Sequence, residues 1–405
     1  MARAKRTDNK GRVLRNGESQ NKKDGRYCYR WTEPVTGKRG TVYALSLVEL
    51  REKEQQIQKD IQDGINTNSA NMTLNQLFNI FMESKSNIRE STRIAYNIYW
   101  NANIKSSLLS DMKISQIKQY HVKKWIAELK DKGAKVSSIK IYETLLSTVL
   151  QFAVKNDFIR KNPCVDCGRE IKSEPTSKRA LTIKEQNALL NFTKNSNAYC
   201  VYYPIILFLL STGLRISEAI GLTMDRIDNK NNVIHIDRQL VYRTEKGNYN
   251  YRFTPTKSSS GERDIPITEN AKKALIKQKE LDFITGRRAK EQRIDGESGL
   301  VFITRNGTPI NTRNFGKALD GLVKAHNKQE TDSAKQENRE AELLPHISPH
   351  MLRHTFCTRC AESGMDIKVL QTIMGHSDIG VTMDIYNHVD TVRLQKEMKK
   401  LENIM

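Results

Sequence analysis

Ser348-Pro349-His350-Met351-Leu352-Arg353-His354 places two of the chain's 8 histidines and an arginine in one short stretch behind a Ser-Pro pair. Serine accepts hydrogen bonds from the first free N–H groups of a helix and proline fits the first helical turn, so a helix is expected to start at Pro349. His350 then lies in the first turn, with Arg353 three and His354 four residues further along the same face. The positive end of a helix dipole, a guanidinium fork and an imidazole together suit a phosphate. From these residues alone other readings stay open. His350 and His354 have the spacing of a metal clasp, although no carboxylate accompanies them and Arg353 stands between. His354 also fits a structural role, hydrogen-bonded beside the core in support of the site.

Working outward, the whole chain favours an anionic partner. Its 405 residues hold 67 Lys plus Arg against 46 Asp plus Glu, a formal charge of +21 with a pI near 9.6. That is far beyond what solubility asks, so a polyanion is expected. Between nucleic acid and a membrane surface, nucleic acid is preferred: the longest apolar run, 201–210, is interrupted by Pro204 and falls short of the ~18 residues a span needs. The basic start has no apolar stretch behind it, so nothing directs export and a cytoplasmic location is expected. The 6 cysteines read as reduced thiols. Cys164/Cys167 and Cys357/Cys360 have zinc-like spacing, but neither pair has companion ligands at the right distance, so no metal is expected.

The length suits two or three domains. Residues 1–40 carry twelve Lys or Arg against four acids. Within them, 25–34 (GRYCYRWTEP) and 37–45 (GKRGTVYAL) alternate as a hairpin. Ser46 with Glu49 forms a capping box before a helix whose Leu47, Leu50, Ile57 and Ile61 share a face, with Gly64 as its stop. Basic and aromatic residues together make Arg26, Tyr29, Arg30 and Trp31 candidate DNA contacts, against the plainer reading of a solvated basic surface. Residues 65–71 read as a linker. From Thr73 to about Pro163 the pattern is helical, with Thr73 and Gln76 capping the first of about four helices and Ile141, Leu145, Val149 and Phe152 lining the last. A second linker covers 167–181. Thr182 with Glu185 then caps a third part, with strands over 232–267 and a charged, exposed excursion at 327–342. The expectation is a multidomain chain, mainly α with α+β parts. Residues 1–67 form a small three-stranded sheet plus helix, 72–166 a helical bundle and 178–405 a mixed α/β domain.

Residues 211–222 (STGLRISEAIGL) put Arg215 behind a buried apolar helix, with Glu218 three residues on and able to orient its guanidinium. Residues 373–389 (IMGHSDIGVTMDIYNHV) put His376 after a glycine turn and Tyr386 ten residues later. Arg215, the box His350-x-x-Arg353-His354, His376 and Tyr386, in this order and spacing, resemble the tyrosine recombinase (phage-integrase-type) family. The basic sheet-plus-helix start and helical bundle look most like the integrases of conjugative transposons. The family's β-hairpin lysine maps best onto Lys257 in 254–267 (TPTKSSSGERDIPI), with Lys246 as rival. One departure is Met374, where many members have leucine; a thioether fills such a core position adequately.

The resemblance implies a site-specific recombinase that cuts and rejoins DNA through a 3′-phosphotyrosine, integrating and excising a mobile element without cofactor, metal or ATP. Arg215 and Arg353 would clamp the phosphate, Tyr386 would attack it, His350 would accept the phenolic proton, Lys257 would protonate the leaving 5′-hydroxyl and His376 would hydrogen-bond the phosphate. Residues 1–67 would bind arm sites and 72–166 core sites of double-stranded DNA. The implied assembly is a homo-tetramer on two duplexes, with an excision factor and a DNA-bending protein as accessory partners. The amphipathic tail 390–405 (Leu394, Met398, Leu401, Met405) would dock on a neighbouring protomer, or else on its own domain. Rival readings are a type IB topoisomerase, a regulator without catalysis and a metal-dependent nuclease.

Overall fold

Alternation along Tyr27–Thr32 builds the first sheet. In this computed structural model β1 (Glu18–Gln20), β2 (Tyr27–Thr32) and β3 (Arg39–Ala44) form an antiparallel sheet in that order, with Tyr29 opposite Val42 and Trp31 opposite Gly40. Helix α1 (Leu47–Gln62) covers one face through Leu47 and Leu50, which pack with Tyr27, Tyr29 and Ala44. Ser46 caps α1 as expected, accepting from the Glu49 N–H at 3.2 Å. The Glu49 carboxylate, however, reaches the Leu45 N–H at 3.3 Å, so the reciprocal half of the box falls one residue early.

The structure describes residues 6–34, 37–65, 72–169, 179–245 and 248–386, the side chains of 243–245, 248–249 and 385–386 excepted. It divides into two compact units, Met1–Pro175 and Thr176–Met405. In the first unit, α2 (Leu74–Ser84), α3 (Glu90–Tyr99), α4 (Gln119–Asp131) and α5 (Val136–Lys155) enclose a second core. Thr73 and Gln76 form a complete capping box on α2. A π-helical turn, Trp100–Ile104, prolongs α3 and rolls Trp100 inward, 3.9 Å from the Phe78 ring and stacked on it. The widened turn also frees the Asn103 carbonyl, which accepts from Trp125 Nε1 at 3.1 Å. On α5, Leu145 and Val149 are buried but Ile141 is 46% exposed. The buried stripe runs instead through Ile139, Leu146, Leu150 and Ala153.

The second unit is built on α7 (Tyr203–Thr212), in which Pro204–Leu210 are all buried. Around it stand α6 (Ile183–Asn195), α8 (Ile216–Ile220), α9 (Glu269–Thr285), α10 (Thr312–Gln336), α11 (Pro349–Glu362), α12 (Ile367–Met374) and α13 (Ile379–Tyr386). The strands form two groups: β4 (Ile227–Asp228), β5 (Val233–Ile236) and β8 (Arg263–Pro266) in one sheet, and the hairpin β6 (Arg238–Glu245)–β7 (Asn248–Pro255) in the other. Thr182 and Glu185 complete a capping box on α6. The expected excursion at 327–342 is corrected: its first ten residues are the last turns of α10. Ala334 is buried, and Asn327 ties the helix back to the Leu344 backbone through two bonds of 2.8 Å. Among the described residues no helix is long and apolar enough to cross a membrane. The tail 390–405 lies outside the described residues.

Candidate active site

The site grows from the end of α7. Gly213 closes that helix at φ 64, and a Cβ there would lie 2.3 Å from the Phe356 ring. Only glycine permits both the left-handed turn and this approach of α7 to α11. Two residues later Arg215 is the N-cap of α8. Its Nη1 donates to Glu218 Oε1 at 2.7 Å and its Nη2 to the Gly375 carbonyl at 3.0 Å, so the expected orienting pair with Glu218 is formed.

Glu218, 3% exposed, is shared with a second cation that sequence reading missed. Arg263 Nη2 donates to Glu218 Oε2 at 2.9 Å, its Nε to the Ile373 carbonyl at 2.6 Å and its Nη1 to the Gly261 carbonyl at 2.8 Å. The signal was the strand phase: in β8, Arg263 and Ile265 are buried while Asp264 and Pro266 are exposed, so a charge occupies the inward face. Ser348 caps α11 and Pro349 opens it, as expected. Arg353, one turn on, is 2% exposed; its Nη1 donates to the Gly213 carbonyl at 2.7 Å and its Nη2 to the Met374 carbonyl. Met374 fills its core position, 1% exposed.

These bonds converge on the turn after α12. Gly375 has φ 61, and a Cβ there would meet Arg263 Nη1 and the Ser260 carbonyl, both at 2.9 Å. His376 follows, its Nδ1 3.0 Å from Thr382 Oγ1. Lys257 is exposed on the connection between β7 and β8. It therefore follows β7 rather than joining β6 to β7, and rival Lys246 lies outside the described residues. The Ser260 contact brings the Lys257 connection against Gly375. His350 is exposed in the first turn of α11 and His354 half-buried one turn further. Tyr386 ends α13 one helical turn after Thr382; its side chain is outside the description.

Three guanidinium groups thus surround one carboxylate. Burial pushes Glu218 up, but Arg263 and then Arg215 outweigh it and leave the carboxyl below its ordinary range. Burial, reinforced by the charges of Arg215 and Arg263 and partly offset by Glu218, pulls Arg353 down to about 9, so it stays cationic at neutral pH. Burial, then the charges of Arg353, Arg215, Arg263 and His350, lowers His376 to about 4, so its ring is neutral. The surplus of positive charge makes a seat for an anion.

The His376 shift has a sign that can be measured. A folded value near 4 lies below the ordinary 6.5, so its contribution to stability is complete above the upper value and is lost as pH falls toward the lower. Lowering pH from about 7 to about 5 is expected to reduce the thermal midpoint of the intact chain, and less so in His376→Asn. Equal losses in both proteins would remove His376 from the account.

The N-terminal candidates divide between two faces. Arg30 is exposed on the face away from α1, and Arg26 is exposed over the Tyr43 ring, 5.8 Å from its centroid. Tyr29, 7% exposed, belongs to the core under α1, with Trp31 packed beside it across Gly40. Tyr29 is corrected from a DNA contact to a core residue and Trp31 to a half-buried residue packed on that core, because positions 27, 29 and 31 share the covered face. The open face instead presents Arg30, Thr32, Arg39, Thr41 and Tyr43.

Comparison with known proteins finds family matches in three stretches of the chain. Residues 179–393 match the phage integrase family, 73–130 the N-terminal SAM-like domain of phage integrases and 2–61 the DNA binding domain of tn916 integrase. The transposase of transposon Tn1545 from Streptococcus pneumoniae is 36% identical, the alignment covering 98% of this chain and 96% of the relative. The transposase of transposon Tn916 from Enterococcus faecalis gives the same identity and coverage. The Tn1549 transposon integrase, solved in complex with transposon right end DNA, has a TM-score of 0.70 at 32% identity, over 82% of this chain and 100% of that one. With a family match over more than half its length and relatives aligned almost end to end, the chain belongs to the phage integrase family of tyrosine recombinases.

Proposed function

We infer that the protein is a site-specific DNA recombinase, an integrase that cleaves and rejoins DNA through a 3′-phosphotyrosine and so integrates and excises a mobile element such as a conjugative transposon. The observation that carries this reading is the net-positive seat, three guanidinium groups about the single carboxylate of Glu218, in which Arg215 and Arg353 both hold the Met374–Gly375 turn that precedes His376. A phosphodiester spreads charge over its non-bridging oxygens as it is attacked, so fixed donors that outnumber their one local counter-ion favour that transition state.

In this scheme the Tyr386 oxygen attacks phosphorus and the bond to the 5′-oxygen breaks. The phenolic proton passes to His350, Lys257 supplies the proton of the leaving 5′-hydroxyl and His376 donates to a non-bridging oxygen. A 5′-hydroxyl from a second strand reverses the step, so the bond energy is kept in the phosphotyrosyl ester and neither ATP nor a metal is consumed. Residues 1–67 bind arm sites through the open sheet face, 72–166 bind the core site, and 178–405 cut. Four copies act on two duplexes in the cytoplasm, with an excision factor and a bending protein shaping the looped DNA.

Intact protein incubated in excess chelator with a nicked duplex carrying an end of its element is expected to form an adduct that survives denaturation. The DNA should map to the peptide containing Tyr386. Activity that disappears with the chelator would point to a metal-dependent nuclease and overturn the reading.

A further inference from the structure

Buried hydroxyls on the helices of the catalytic unit send their proton back one turn. Thr193, Thr212 and Thr355 donate to the carbonyls of Leu189, Phe208 and Met351 at 2.6, 2.8 and 2.9 Å. Thr382 on α13 is the exception. It is fully buried, yet its one hydrogen bond among the described residues is the 3.0 Å contact with His376 Nδ1.

A buried O–H must be satisfied, and among the described residues its one hydrogen-bonded acceptor is the imidazole nitrogen. If Nδ1 carried a proton, two hydrogens would face each other or the hydroxyl proton would be left without a partner. We propose that Thr382 is a positioning residue that donates to His376 Nδ1 and so fixes the ring as its Nε2–H tautomer. The proposal rests on the recombinase reading above, in which His376 faces a phosphate. Nε2–H then points a donor at an anionic oxygen, whereas the opposite tautomer would present a lone pair to it. Burial and the surrounding guanidinium groups keep the ring neutral, so the hydroxyl decides which nitrogen carries the single proton. Because Tyr386 lies one turn beyond Thr382 on the same face of α13, this bond also ties the turn carrying His376 to the helix that bears the proposed nucleophile.

Two substitutions separate this role from packing. Thr382→Val keeps the volume and β-branching but removes the donor; Thr382→Ser keeps the donor and leaves a small cavity. Single-turnover adduct formation on the nicked duplex, with DNA binding and the thermal midpoint measured alongside, is expected to fall ~10- to 100-fold in Thr382→Val. Thr382→Ser should retain most of the wild-type rate. A packing role predicts the reverse order, and that order, or equal rates in all three proteins, would overturn the proposal. Imidazole ¹⁵N resonances of the histidine-labelled intact chain, assigned by loss of one signal in His376→Asn, should show Nε2–H in the wild type. A protonated Nδ1 there refutes the proposal regardless of activity. Absence of any adduct from the wild-type protein would instead refute the recombinase reading, leaving the spectra to decide the tautomer.

Discussion

Tyr386→Phe is expected to bind core-site DNA with wild-type affinity and salt dependence, yet to give no covalent adduct, a loss of more than about 10⁴-fold in cleavage. Only the phenolic oxygen is removed, and that atom is the one proposed to form the bond to phosphorus. The positive surface that attracts the duplex is untouched, so counter-ion release should follow the same slope. The cationic seat also remains, because its donors are Arg215, Arg263 and Arg353, all anchored to carbonyls or Glu218 rather than to α13. Electrophoretic shift and denaturing gels on the same nicked duplex measure both quantities. An adduct that persists would move the nucleophile elsewhere and leave α13 with a different purpose.

What was legible in the sequence is what local rules govern. The caps at Thr73, Thr182 and Ser348 satisfy N–H groups within three residues of themselves, so Ser or Thr with Gln, Glu or Pro nearby is enough to read them. The Arg215–Glu218 pair is equally local. Sheet faces needed more. Alternation groups Tyr27, Tyr29 and Trp31 together, but which face α1 covers depends on where Leu47 and Leu50 return, and aromatic character alone favoured the wrong assignment for Tyr29 and Trp31. Ile141 failed for a related reason: several faces of α5 carry apolar residues, and the packed one is chosen by its partners. Arg263 was missed because its partners, Glu218 and Ile373, are 45 and 110 residues away. Only the inward strand phase hinted at it.

Arg353→Lys is the other substitution with a large expected effect, and it should act on both cleavage and folding. The guanidinium spans two carbonyls, Gly213 at the end of α7 and Met374 at the end of α12. It also has N–H groups left for a phosphate. An ammonium is a single donor atom on a flexible stem and cannot hold both carbonyls and the anion together. Loss of one buried carbonyl partner costs ~1–3 kcal/mol, and loss of a transition-state donor costs ~10²- to 10³-fold in cleavage. Arginine is also needed for its charge. The burial that brings Arg353 down to about 9 would take a lysine, starting from ~10.4, toward neutrality. Arg215→Lys should resemble it in cleavage but not in stability, because the Arg215 side chain is 28% exposed and water can take over its lost bonds. Since both guanidinium groups are proposed to act on one phosphate, the double variant should lose less than the product of the single losses. Full multiplication of the two effects, measured in single-turnover cleavage, would mean that the two arginines do not share a substrate atom group.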